Sequence, residues 1–378
     1  MTGTVLVLRA LGLGDALTGV AALRGVRRAW PGHRVVLAAP AGVGAFLAAR
    51  GVVDDVVPAQ ALAPHALAAL ELPALAALEP PVPDDGEGAA AGRRGRARAG
   101  GGVPGLAHGG ETLHGGGVWT LLGDEVAAAG RTARRHVAVN LHGRGPASHR
   151  ALQATAPGTL VAFGCAEAGH DGPAWDPGEH EVRRWCRLVS AAGGPCGPED
   201  LRLTEPRAPR GSTVVVHPGA ASGARRWPVA RWAAVAAALA HDGLRVVLTG
   251  STAERPLCRA VLAAAAGAGA DVEDASGRLD LDELADLVGG ARLLLSGDTG
   301  VAHLATALGT PSVTLFGPVP PSAWGPSIDL DRHTALWHGP TAVPGDPHGT
   351  YLDPTLARIT TAEVLDACAA LLAVEQVA

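Results

Sequence analysis

Short unbroken apolar runs recur along this chain, most of them followed by a polar, glycine-bearing loop and an amphipathic stretch. Thr4-Val5-Leu6-Val7-Leu8 is the first run and reads as a buried strand. Arg9-Ala10-Leu11-Gly12-Leu13-Gly14-Asp15 follows as a glycine loop. Ala16 to Ala29 then sets Leu17, Val20, Ala21, Leu23 and Val26 at helical spacing until Pro31-Gly32 stops it. Arg34 to Ala38 is a second strand, so the chain opens on a βαβ unit. Ala41 to Arg50 reads as a helix, Val52 to Val57 as a short strand and Leu62 to Leu78 as helical. The pattern then fails. Pro80 to Gly117 is Pro, Gly, Ala and Arg, buries little apolar surface and reads as a mobile insertion.

Order returns with the strand Val137 to Leu141, its loop His142 to Arg150, and the strand Thr159 to Phe163. Glu179-His180-Glu181 leads a helix, Val182 to Ala192, with Arg183, Arg184 and Arg187 expected on its surface. Gly194 to Gly211 is rich in Pro, Gly and charge and marks a linker. Beyond it come strands at Thr213–Val216, Arg245–Leu248, Val272–Asp274, Ala291–Leu295 and Ser312–Phe316, the last good one, and an amphipathic helix from Thr361 to Val374. This order predicts an α/β protein of two doubly wound, Rossmann-like domains facing across a cleft. The expected boundaries are 1–205, with a low-complexity insertion at about 80–133, then 206–355, then a terminal helix over 356–378.

Composition narrows the classes. In 378 residues, 47% are apolar but only 3% aromatic, so the cores must be Ala, Val and Leu. A net charge of −5 argues against nucleic acid as a partner. Five scattered cysteines with no paired spacing point to a reduced, cytoplasmic protein. No apolar run reaches the roughly 18 residues of a membrane span, so membrane contact is expected to be peripheral at most. Every basic residue apart from histidine is arginine; the chain has no lysine.

Three loops carry candidate chemistry. Ser296 to Gly309 runs from a strand through Gly297 into a helix that Asp298 or Thr299 can cap, with Gly300 allowing close approach and His303 one turn in. Free amides and the helix dipole there favour phosphate, although many such turns bind nothing. His217 to Pro228 brings Arg225 and Arg226 to a loop feeding a helix, where a guanidinium fork suits phosphate oxygens or is merely surface charge. In Gly12-Leu13-Gly14-Asp15 the carboxylate is either a helix N-cap or a general base. That loop lacks a full GxGxxG fingerprint, which counts against a nicotinamide dehydrogenase. Asn140, His142, Arg144 and His149 gather at a strand end suited to a hydroxylated or anionic acceptor, or to a capped turn. Glu254 either accepts from ribose hydroxyls or favours a helix start. His180 and Glu181 have no third ligand spaced to join them as a metal site.

Taken together, Gly12-Leu13-Gly14-Asp15, His217-Pro218-Gly219-Ala220 with Arg226-Trp227-Pro228, and Gly297-Asp298-Thr299-Gly300 through His303-Leu304-Ala305 to Leu315-Phe316-Gly317-Pro318 resemble glycosyltransferase family 9. This is the ADP-heptose heptosyltransferase family, of GT-B fold. The resemblance spans residues 1 to 57 and 135 to about 326. It implies an inverting transfer of a heptose-type sugar from an ADP-activated donor to a hydroxyl of a glycan, glycolipid or small molecule. Asp15 would be the base, with Gly12 and Gly14 on the acceptor side. Ser222, Arg225 and Arg226 would face the donor diphosphate; Asp298, Thr299, Gly300 and His303 would bind its phosphates and sugar; Glu254 would meet the ribose. Arg225 stands where the family commonly has lysine. No metal or other cofactor is implied. A nucleotide-sugar epimerase or hydrolase of the same fold, and an inactive nucleotide-sugar-binding module, are the competing classes.

Overall fold

Apolar runs bounded by glycine loops can be buried on both faces only in a parallel sheet covered by helices, and the chain builds two of these. The computed structural model describes residues 3–59, 136–205, 211–340 and 345–374. The first sheet holds β1 (Thr4–Leu8), β2 (Arg34–Ala39), β3 (Asp55–Pro58), β4 (Val137–Asn140) and β5 (Thr159–Val161) in the order β3-β2-β1-β4-β5. The second holds β6 (Thr213–His217), β7 (Arg245–Leu248), β8 (Val272–Asp274), β9 (Leu293–Gly297), β10 (Ser312–Leu315) and β11 (His333–Leu336) in the order β11-β10-β9-β6-β7-β8. Among the described residues every pairing between these strands is parallel.

Each order reverses once, between β1 and β4 and between β6 and β9. Ligands of open α/β sheets bind outside the strand ends at such a reversal. The register there is level: Leu8 stands opposite Asn140 and His217 opposite Ser296. Both sheets belong to one compact unit. One apolar core runs from Val5, Val7 and Trp185 under the first sheet to Leu304 and Leu308 beside the second. A second core packs Trp227 and Trp232 against β6 and the terminal helix Thr361–Val374.

Several elements differ from expectation. The first helix is two, Leu13–Thr18 and Val20–Ala29, broken at Gly19, where a Cβ would lie 2.8 Å from Arg9 Cδ. Gly12, not Asp15, is its N-cap. β10 is not the last strand: β11 adds an edge whose four residues are too few for periodicity to reveal. Arg184 is buried rather than on the surface, because it pairs with Glu181 and stacks 4.4 Å over Trp175. The helix expected over Leu62 to Leu78 and the insertion at about 80–133 lie outside the described residues.

Candidate active site at the facing sheet reversals

Asp15 occupies the first turn of the Leu13–Thr18 helix, just past the end of β1. Its side chain is 29% exposed, while the Arg9 guanidinium 4.0 Å away is 1% exposed. Burial raises the Asp15 carboxyl above the usual carboxylate range; Arg9 opposes this, Glu181 adds to it, and Arg225 opposes it again. A carboxylate so placed is more basic than one in water, which suits proton abstraction near neutral pH.

The second sheet presents three loops. Thr299 is the N-cap of the Gly300–Leu308 helix, yet its Oγ1 makes no capping bond and is buried without a partner. Arg225 Nη1 donates to the Asp298 carbonyl at 3.3 Å and lies 3.5 Å from Asp298 Oδ2, while its Nε is buried without a partner. Burial raises the Asp298 carboxyl; Arg225 opposes that and Asp15 adds to it. The Ser222–Arg225 loop is tied down by a distant strap. Ser222 Oγ donates to the Pro347 carbonyl at 2.6 Å, Ala224 N to the Gly349 carbonyl at 2.9 Å, and Asp353 N to the Ala224 carbonyl at 3.2 Å. Gly223 fits because any Cβ there would collide with the Thr350 carbonyl.

The two sets of loops touch. A Cβ on Gly14 would lie 2.8 Å from His303 Cδ2 and 3.3 Å from Gly300 Cα; one on Gly300 would lie 2.9 Å from Gly14 N. Two glycines therefore let the helix carrying Asp15 meet the helix N-terminus after β9 backbone to backbone. His180 Nδ1 accepts from Val182 N, so its Nε2–H donates to the Gly325 carbonyl at 2.9 Å across the same boundary. Trp324 packs edge-on to His303, ring centres 6.1 Å apart. Burial holds the His303 imidazole neutral, with its pKa down at about 4. The outcome is a boundary with one carboxylate on one side and a guanidinium, a buried carboxyl and a helix N-terminus on the other.

Residues 175–347 match the model of glycosyltransferase family 9 (heptosyltransferase). Lipopolysaccharide heptosyltransferase 2 of Escherichia coli is 33% identical over 162 residues, 42% of this chain and 46% of that protein. Lipopolysaccharide heptosyltransferase 1 of Pseudomonas aeruginosa is 36% identical over 128 residues, 34% of each. Both matches span less than half the length of the curated relative. The family match takes in less than half of the chain, and it is residues 175–347 that are similar to glycosyltransferase family 9. In fold, the solved E. coli ADP-heptose LPS heptosyltransferase II is similar with a TM-score of 0.64 at 17% identity, over 99% of each chain. A glycosyl transferase family 9 structure from Veillonella parvula gives 0.66 at 16% over 98% of each. The architecture is GT-B, two parallel-sheet halves with their strand ends facing.

Against this geometry the expected site residues divide. Asp15, Gly14, Arg225, Asp298, Thr299, Gly300 and His303 come together at the contact. Gly12 begins the Asp15 helix. Ser222 is engaged by the strap, and Arg226 is exposed with its Nε on the Ala220 carbonyl. Glu254 Oε2 accepts from Ser251 N and Oγ at 2.8 and 2.9 Å, closing a capping box, and its carboxylate packs against Gly219. On the acceptor side, Asn140 and His149 are fully buried. His149 donates from Nε2 to the Phe163 carbonyl at 2.8 Å, and Asn140 Nδ2 lies 2.9 Å from Ser148 Oγ and 3.1 Å from His149 Nδ1, so both shape the loop from inside. His142 Nδ1 accepts from Ala10 N at 3.2 Å; burial, aided by Arg9, pushes its pKa down to about 4. Arg144 is exposed.

The residues that sequence reasoning missed are Arg9, Glu181 and Trp324. The one available signal was a charge, Arg9, placed directly against an apolar strand. Among the described residues no three His, Cys, Asp or Glu side chains gather as a metal cluster would need, and no helix is long and apolar enough to cross a membrane.

Proposed function

We propose that this protein transfers a heptose-type sugar from an ADP-activated donor to a hydroxyl of a glycan, glycolipid or small-molecule acceptor, with inversion at the anomeric carbon. The observation that carries the reading is the single electrostatic cluster of Asp15, Arg225 and Asp298 where Gly14 meets Gly300. The names of the matched relatives and a solved E. coli heptosyltransferase with ADP support the donor. Asp15 takes the proton of the acceptor hydroxyl as its oxygen attacks the anomeric carbon. The bond from that carbon to the diphosphate breaks, and ADP leaves with the electron pair. Arg225, Arg226 and the amides at Thr299 and Gly300 stabilise the charge growing on the diphosphate, in place of a metal. His303, held neutral, contacts sugar or phosphate without adding charge. Glu254 accepts from the ribose through the oxygen its cap leaves free.

The test is ADP release from ADP-heptose across hydroxylated acceptors, with the anomeric configuration of the product read by NMR. Inverted product, no change on adding EDTA, and loss of turnover in Asp15→Asn are expected. Near-wild-type turnover by Asp15→Asn on the true acceptor would overturn the base assignment. Acceptor-independent ADP release would make the protein a hydrolase.

A further inference from the structure

A chain of buried charges lies directly behind Asp15 and takes no part in the chemistry proposed above. Arg9 stands one residue past β1. Its Nε donates to the Asp15 carbonyl and its Nη1 to the Leu141 carbonyl. Its Nη2 donates to Thr18 Oγ1 at 2.9 Å and to Glu181 Oε1 at 3.1 Å. Thr18 Oγ1 in turn donates to the Asp15 carbonyl at 2.9 Å, so the turn carrying Asp15 is gripped from two sides. Glu181 Oε1 also accepts from Trp185 Nε1 at 2.6 Å, and Glu181 Oε2 accepts from Arg184. The Trp185 ring lies 5.0 Å from the Arg9 guanidinium. Buried ion pairs are a poor source of stability, since an apolar pair of equal volume holds a fold as well. Their place here calls for another reason.

We propose that Arg9, held by Glu181, is the positioning residue of Asp15: through the Asp15 carbonyl it sets the turn from which the carboxylate projects. The proposal rests on the reading of Asp15 as the base. The charged groups facing Asp15 are Arg9 from the end of β1, Glu181 from the Glu181–Ala191 helix, Arg225 from the loop after β6 and Asp298 from the loop after β9. Arg9 and Arg225 draw its carboxyl down; Glu181 pushes it up. Neutralising Arg9 and neutralising Glu181 therefore move Asp15 in opposite directions, which a purely structural role does not predict.

The experiment titrates the Asp15 carboxyl by NMR in carbon-13 aspartate-labelled protein, the signal being assigned by its loss in Asp15→Asn. No substrate is needed. Arg9→Gln should titrate at higher pH than wild type and Glu181→Gln at lower pH. Arg9→Lys should return the midpoint toward wild type but not the turn geometry, because an ammonium cannot span both the Asp15 and Leu141 carbonyls. In turnover, the acid limb of kcat should move the same way in each variant, and Arg9→Gln should lower kcat about 100-fold with little change in donor KM. If Arg9→Gln does not fold, Arg9→Lys decides: wild-type kcat in that variant, which keeps the charge but not the two carbonyl contacts, would overturn the proposal. Unmoved midpoints, or both variants moving the same way, would overturn the proposal. Opposite shifts in a protein whose Asp15→Asn variant still turns over would uphold the positioning and remove Asp15 as base, so the two failures are distinguishable.

Discussion

The two halves share one architecture but differ in how the polar groups nearest their contact are paired. Behind the loops of the first sheet, Arg9, Asn140, His149, Glu181 and Arg184 are buried and bonded to one another or to backbone carbonyls. On the site side of the second sheet, among the described residues, Thr299 Oγ1, Arg225 Nε and Ser296 Oγ are buried with no partner. Native proteins rarely leave such groups unpaired unless something is to meet them. Around Asp15 the buried polar groups are bonded; around Arg225 and Thr299 some are not, and buried atoms without a partner occur elsewhere too, at His33, Arg202 and Trp232. A shared sheet order thus says where a site lies, while the pairing of the polar atoms beside it differs between the halves.

The sharpest way to break this contrast is Asp15→Asn, expected to cost about a thousandfold in transfer at unchanged donor affinity, read by turnover and by ADP titration. Arg225→Ala should cost about a hundredfold in kcat and also weaken ADP binding, because that donor belongs to the ligand-receiving wall. Gly300→Ala tests the contact itself. Its methyl group would meet Gly14 N at 2.9 Å, so the walls must part, with a stability loss of about 1–3 kcal/mol in urea and a larger loss of turnover. His149→Ala should leave ADP binding intact and cost about 2 kcal/mol of stability, since it strands the Phe163 carbonyl and Asn140 without touching the crevice.

The smallest effect is on pH dependence. His142, His303 and His333 are held down at about 4 against a usual value of 6.5, so the unfolded chain binds more protons than the folded one between those limits. Stability should fall as pH drops from 6.5 toward 4, and His333→Gln should flatten the slope of the urea midpoint against pH. The raised Asp15 and Asp298 carboxyls act with the opposite sign, weakening the fold as pH rises above their unfolded values near 3.8.

Much of this was legible in the chain. Strands buried on both faces announce themselves as unbroken apolar runs, so β1, β2, β6, β7 and β10 could be read directly. The loops at Gly12–Asp15 and Gly297–Gly300 were legible because glycine and polar residues cluster only where the backbone must turn. The wiring beneath them was not. Arg9 meets Glu181 across 172 positions, and no local pattern pairs two charges that far apart. The close approach of Arg9 to Gly19 was hidden for the same reason, since that side chain comes from outside the helix. The capping box at Ser251 and Glu254 is readable from spacing, and it leaves one Glu254 oxygen for the ribose contact proposed above.

The strap over Gly223 has a practical side. Protease nicking between Pro347 and Asp353 would leave every strand of the second sheet paired. It would nonetheless unfasten the loop that presents Arg225, because three of that loop's tethers come from this downstream latch. A preparation clipped there could pass as folded by circular dichroism and still have lost the seating of Arg225.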